Sequence, residues 1–298
     1  LSFRDWYIDR CRKGPSLTSR GLALAPGTIQ NYRSARSAMN RYCKNRRRKL
    51  DLHGFSMDDY RDIVAFLNES THQRGLGYSL NVVGKTIKDL RHILRYAFEG
   101  GYTTNETFRD RNCRVYQTTV QTVYLNLDEL EALRRLDLPT NLAVVRDSFL
   151  LSAFTGLRHS DMARLESKHI NRKTNTNNIT TKKTGAPVVI PLHPVVKEIL
   201  ERNGNEPPKA QTNQSSNRNL KRICKMAGID EPVTGTEIRG GKPVEITRPK
   251  YEMITTHGGR RSFCSNAYKS GIPTIAIMKM SSHTSEANFL RYIRVSQS

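Results

Sequence analysis

Long apolar runs are missing from this 298-residue chain: none approaches the roughly 20 residues of a membrane span, and no secretory leader is visible. Cysteine is scarce. Cys11, Cys43, Cys113, Cys224 and Cys264 are scattered, odd in number and form no C-x-x-C pair, so neither a disulfide framework nor a zinc site is indicated. A reducing cytoplasm follows. Acid is short as well: 27 Asp+Glu face 49 Lys+Arg, for a net charge of +22. A chain so basic repels itself unless a polyanion neutralises it, which favours nucleic acid over an acidic membrane surface. No P-loop and no clustered-carboxylate motif occurs, so nucleotide- and metal-driven chemistry lack their usual marks.

What the chain does have is helical periodicity. Its length accommodates two domains, each able to bury a core. Residues 3–13 have helical spacing, with Phe3, Trp6, Tyr7 and Cys11 on one face. A longer helix begins near Pro26, carries Ile29, Tyr32, Ala35, Met39 and Tyr42 inward, and runs into the basic stretch 44–49 with Arg46, Arg47 and Arg48. Ser56 and Asp59 form a capping signal for a helix over 57–68, and a further helix over 80–99 ends at Gly100-Gly101. Lys85, Lys88, Arg91 and Arg95 lie off its apolar stripe, free to meet phosphate. These helices make residues 1–104 an all-helical domain; 105–122 reads as a linker lying across a duplex, and 123–298 as the second domain.

In that second domain, Asn126 and Glu129 open a helix, and 141–154 is apolar nearly all round, which predicts a buried central helix. Thr155-Gly156-Leu157-Arg158 turns the chain and mounts Arg158 on it. Asp161 either holds that guanidinium or is an ordinary helix-start carboxylate. Residues 168–192 alternate as short strands, with a polar turn at 175–178 and a second at Lys182-Lys183-Thr184-Gly185. Helices follow near 194–203 and 214–227, the latter with a basic face that includes Lys221, and residues 232–255 read as a hairpin-like insertion. His257 and Arg260 sit near one another at the start of a helix over 257–269. His283 comes after a short helix, and Tyr292 is nine residues beyond it, on a helix expected over 285–294. Two imidazoles, a guanidinium and a phenol suit chemistry on a phosphodiester: arginine balances charge, histidines bond non-bridging oxygens, and a phenol can attack phosphorus.

The pattern H-x-x-R at 257–260, a histidine at 283 and a tyrosine nine residues on resembles the carboxy-terminal boxes of the tyrosine recombinase (phage-type integrase) family. A-F-T-G-L-R-H-S-D at 153–161 resembles that family's first arginine box, and T-K-K-T-G-A-P-V-V-I-P-L at 181–192 its catalytic-lysine hairpin. The flavour is similar to integrases of mobile elements from Bacteroides-type bacteria. The resemblance implies a mainly α, two-domain fold with a small β-sheet in the catalytic domain and a core-binding (SAM-like) domain before it. It implies Tyr292 as nucleophile, Arg158, Arg260, His257 and His283 around the phosphate, and Lys183, picked over Lys182 by the K-T-G pattern, as the acid for the leaving 5′ oxygen. No metal or other cofactor enters. Implied partners are double-stranded DNA, further copies in a tetramer on synapsed DNA, and, where direction is controlled, an accessory directionality factor; implied location is the bacterial cytoplasm with the nucleoid. Both ends look cut, since such integrases often carry an amino-terminal domain for accessory DNA sites and a carboxy-terminal tail.

One departure stands out. The family usually has glycine just before the second histidine, where this chain has Ser282. Two other readings share these residues: a catalytically silent DNA-binding relative, against which the intact set argues, and a type IB topoisomerase-like enzyme, which would cut without synapsis.

Overall fold

A computed structural model describes residues 23–70, 77–209 and 211–293. The helix expected over 3–13 lies outside the described residues. The described chain divides into two compact units: residues up to Val120 together with Gly235–Ile246, and Gln121–Thr234 together with Thr247 onward.

In the first unit, α1 (Pro26–Asn45) starts on its proline and buries Tyr32, Ala35, Ala38, Met39 and Tyr42. α2 (Met57–Glu69) opens with the capping box of Ser56 and Asp59, each side chain taking the other's backbone N–H. α3 (Leu80–Glu99) buries Val83, Ile87, Leu90 and Leu94 along one stripe. These faces close a core with Phe55, Ile63, Phe66, Phe108 and Cys113. The segment after α3 is pinned to this unit: Tyr60 donates to Arg114 O at 2.9 Å, and Asn81 exchanges two 2.9 Å bonds with the backbone of Thr118. The hairpin of β4 (Pro232–Arg239) and β5 (Lys242–Pro249) forms, and its tip pairs Arg239 with Ser79.

In the second unit, α4 (Leu127–Arg135) carries the second capping box, Asn126 with Glu129. α5 (Thr140–Thr155) buries side chains on every face and is the centre of the unit, with α7 (Pro194–Arg202), α8 (Asn213–Met226) and α10 (Thr256–Lys269) packed on it. The short α9 (Lys250–Met253) precedes α10. At Gly259 a Cβ would lie 2.9 Å from the Cβ of Ser152, so α10 approaches α5 as closely as it does only because that position lacks a side chain. An antiparallel sheet of β1 (Ile170–Asn171), β2 (Thr176–Thr180) and β3 (Pro187–Pro191) pairs Asn178 with Val189 and Thr180 with Pro187. The polar turn therefore ends at Asn175, which takes φ +52°, and residues expected to continue it to 178 are strand, with Asn177 and Ile179 facing inward. Polar composition hid the period-2 burial there.

Gly156 ends α5 at φ +71°, and a Cβ on it would meet the Phe263 ring at 2.5 Å. Both the left-handed backbone and the close ring demand glycine. Gly156→Ala is expected to cost about 2 kcal/mol or more of unfolding free energy, read from denaturant midpoints.

Candidate active site

Four pieces of the second unit converge: the turn after α5, the β2–β3 turn, the first turn of α10, and the segment after α11 (Thr274–Ser281) that includes the short α12 (Glu286–Leu290). Arg158 is the N-cap of α6 (His159–Met162), held there by the Gly156 turn. Arg260 projects from α10 and is 1 % exposed, so it is fixed by packing on all sides. Its Nη1 donates to the Gly156 carbonyl at 2.9 Å, which ties α10 to the turn that presents Arg158.

His257 and Tyr292 meet at 2.8 Å, Nε2 to phenolic oxygen. The His283 ring stands 4.6 Å from the Tyr292 ring, centroid to centroid, and the Arg260 guanidinium lies 5.6 Å from that ring's centre. Tyr292 is not on a helix, contrary to the expectation over 285–294. α12 stops at Leu290, and Tyr292 N–H turns back to Phe289 O at 2.7 Å. Phe289, fully buried, anchors this turn, and Ser265 donates to the Tyr292 carbonyl at 3.0 Å. The phenol is thus aimed by a tight turn rather than by helical phase.

Burial dominates the electrostatics. His257 falls from 6.5 to about 4, first by desolvation and then by the charges of Arg261, Arg260, Arg158 and Lys183. His283 falls to about 3, by desolvation and by Arg260 and Arg158. Arg260 falls to about 10, again by burial first and Arg158 second. Both imidazoles are therefore neutral near pH 7. A neutral His257 can accept the Tyr292 proton on Nε2. Ser281 Oγ is 2.6 Å from Ile277 O, which can only accept, so the serine's hydrogen goes there and its oxygen takes the Nδ1–H of His283 at 2.8 Å. His283 Nε2 then accepts from Arg260 Nη2 at 3.0 Å.

Two donors are left over. Arg158 Nη1 and Arg260 Nε are buried without a hydrogen-bond partner among the described residues. An orphaned buried donor costs about 1–3 kcal/mol, more when charged, and here two such donors belong to cations that repel each other. The arrangement asks for an anion.

Lys183 sits exposed on the β2–β3 turn, close enough for its charge to act on His257. Asp161 is fully buried, but its Oδ1 takes the backbone N–H of Lys182 at 2.8 Å, with Arg164 at 3.8 Å, rather than a bond from Arg158. Of the two readings of this carboxylate, neither named its partner: it holds the lysine turn, a contact across 21 residues that spacing does not reveal. Sequence reasoning also passed over Thr184 and Ser281, whose hydroxyls have no local signature.

The basic residues singled out in the first unit are unequal. Arg46 pairs with Asp62 at 3.1 Å and Glu69 at 3.0 Å, and Arg48 bonds Asp59, so their charge is already spent locally; Arg47 is exposed. Lys88, Arg91 and Arg95 line a cleft of about 470 Å³ with Asn31 and His92, while Lys85 donates to Asn31 at 2.8 Å. Arg91 donates to Phe108 O at 2.8 Å. In the second unit, Lys221 is half-buried on α8.

Because both imidazoles hold their proton affinity below that of the free side chain, the unfolded chain binds protons from pH 6.5 down to about 4 for His257 and about 3 for His283 that the folded chain does not. Stability is expected to fall as pH drops through this window. His257→Gln with His283→Gln should flatten that fall, measured as Tm against pH beside the parent.

Residues 123–298 match the phage integrase family, and residues 2–115 match the phage integrase SAM-like domain. The chain belongs to the phage integrase family, the tyrosine recombinases. Solved structures share the fold. A lambda integrase (75–356) dimer bound to a COC′ core site superposes with TM-score 0.71 at 16% identity, over 97% of this chain and 93% of that one. The Tn1549 transposon integrase (aa 82–397) with circular intermediate DNA gives TM-score 0.64 at 14% identity, over 100% and 96%. A lambda integrase tetramer on a Holliday junction gives TM-score 0.68 at 17% identity, over 100% and 80%. No curated protein is matched by sequence. The mainly helical architecture with small antiparallel sheets, a SAM-like domain and a catalytic domain is thus the one expected from the sequence.

Proposed function

We propose that this protein cuts and rejoins double-stranded DNA at a specific site through a 3′-phosphotyrosine at Tyr292, to move a mobile element. The observation that carries the reading is the 2.8 Å contact of Tyr292 with a neutral His257 beside the buried Arg260 and half-buried Arg158 guanidiniums, each with one buried N–H donor that lacks an acceptor among the described residues. A phosphodiester placed there satisfies Arg158 Nη1 and Arg260 Nε, and their charge stabilises the phosphorane as it forms.

The step balances within the chain. The Tyr292 oxygen bonds to phosphorus while its proton passes to His257 Nε2. The bond from phosphorus to the 5′ oxygen breaks, and Lys183 supplies the proton that oxygen needs. A 5′ hydroxyl from another strand reverses the sequence, so the energy of the broken bond is kept in the phosphotyrosine. A phenol near pKa 10 needs both the base and the cations to react at neutral pH. Bound phosphate raises the proton affinity of His283, letting it donate to a non-bridging oxygen.

Lys85, Lys88, Arg91, Arg95, Arg47 and Lys221 are the residues we assign to the DNA backbone; Arg46 and Arg48, already paired, contribute less. A tetramer on synapsed duplexes, an accessory directionality factor and a bacterial cytoplasmic setting at the nucleoid complete the reading. The sequence resemblance to Bacteroides-type integrases supports a host element of that kind.

The test is incubation with a supercoiled plasmid library carrying randomised inserts, in EDTA, followed by denaturation and sequencing of DNA 3′ ends joined to protein. Enrichment of one core sequence is expected. Tight DNA binding without any adduct would favour the silent relative, and cutting without joining of two mapped sites would favour the topoisomerase-like one.

A further inference from the structure

Resting on the recombinase reading, we propose that Ser282 and Thr184 form a hydroxyl latch that positions Lys183 for its proton transfer. Ser282 takes φ +53° and ψ 45° at the end of α11, a conformation that glycine adopts freely and serine only at a cost. That cost comes with a contact glycine could not make. Ser282 is buried, and its Oγ lies 2.8 Å from Thr184 Oγ1, one residue beyond Lys183. The same Thr184 oxygen is 2.6 Å from Thr181 Oγ1, which donates to Ala186 O at 3.1 Å.

The polarity of this chain is fixed by its end. Thr181 spends its hydrogen on a carbonyl, so Thr184 donates to Thr181, and Ser282 donates to Thr184. From the other side, Asp161 takes the N–H of Lys182 at 2.8 Å. Lys183 is therefore gripped through both neighbours, while residues 182–185 are exposed and gain nothing from apolar packing. Gly185, at φ +69°, closes the turn with its N–H on Thr181 O at 2.9 Å. The turn's place relative to the rest of the site depends on two polar anchors. Ser282 connects three parts of that site at once: its carbonyl takes Arg158 Nη2 at 3.4 Å, its hydroxyl holds the lysine turn, and its backbone continues into His283.

Two readouts test this. Amide exchange of the free protein should speed up several-fold at residues 182–185 in Ser282→Gly, even as Tm rises because the backbone relaxes. Cleavage is then measured on a synthetic duplex carrying the mapped site, with either oxygen or sulfur at the bridging 5′ position. A thiol has a pKa of about 8.5 and leaves without a proton donor, so the sulfur duplex bypasses Lys183. Ser282→Gly and Thr184→Val should cleave the oxygen duplex about tenfold more slowly than the parent and the sulfur duplex within about twofold, with Thr184→Ser restoring the rate. Unchanged exchange, parental rates on oxygen, or equal losses on both duplexes would overturn the latch. No adduct from the parent on either duplex would overturn the recombinase reading, and this proposal with it.

Discussion

Tyr292→Phe is expected to abolish the covalent protein–DNA adduct, by at least about a thousandfold, while leaving Tm and DNA affinity close to the parent. The phenol is half-buried and its ring packs beside His283 and Arg260, contacts that phenylalanine keeps. What is lost is one oxygen and its 2.8 Å bond to His257. A loss that large from so small a change has a single explanation: the oxygen forms the bond to phosphorus. His257→Ala removes only the proton acceptor, and since general acid–base help contributes about 10²–10⁴-fold, adduct should still form slowly. The two variants thus separate nucleophile from base on one gel of denatured plasmid reactions. An adduct persisting in Tyr292→Phe would shift the role to another tyrosine, with Tyr268, 42 % exposed on α10, the first to examine.

Much of the framework is legible in local sequence. The α3 stripe of Val83, Ile87, Leu90 and Leu94 predicts its helix to the residue, because period and glycine stop agree. Both capping boxes, at Ser56 and Asn126, are written in four-residue patterns. His257 and Arg260 are one turn apart, so their nearness follows from helix geometry alone. What escapes is what depends on chain crossing. Arg46 and Arg48 look like a free basic run until α2 places Asp62, Glu69 and Asp59 against them. Asp161 reads either as an arginine's partner or as a helix-start carboxylate, and its Oδ1 turns out to take the Lys182 N–H. Phe289, Tyr292 and Ile293 have a spacing that suits a helix, yet the chain leaves α12 before the tyrosine, and burial of Phe289 decides the turn. Ser282 marks the middle case. Its departure from glycine is visible in the sequence, but the reason for it, a hydroxyl facing Thr184, requires the fold.

The largest conflict between stability and function is expected at Arg260. It is almost wholly buried, its proton affinity is pulled down by desolvation and by Arg158, and its Nε has no acceptor among the described residues. Without DNA these are penalties, offset in part by the bonds to Gly156 O and His283. Arg260→Met keeps volume and straight-chain shape while removing the buried charge, and replacing buried ions by apolar groups of similar size is often neutral or stabilising. Tm should therefore hold or rise. Cleavage should fall by about a thousandfold or more, because a guanidinium aimed at the phosphorane contributes only where charge develops. Inorganic phosphate provides the discriminating measurement. It should raise the Tm of the parent by occupying the orphaned donors, and that gain should largely vanish in Arg260→Met. A phosphate-induced gain that survives the substitution would place the anion elsewhere on this basic surface and remove the main support for Arg260 as a phosphate ligand. A fall in Tm with cleavage intact would reduce Arg260 to a structural strut between α10 and the Gly156 turn.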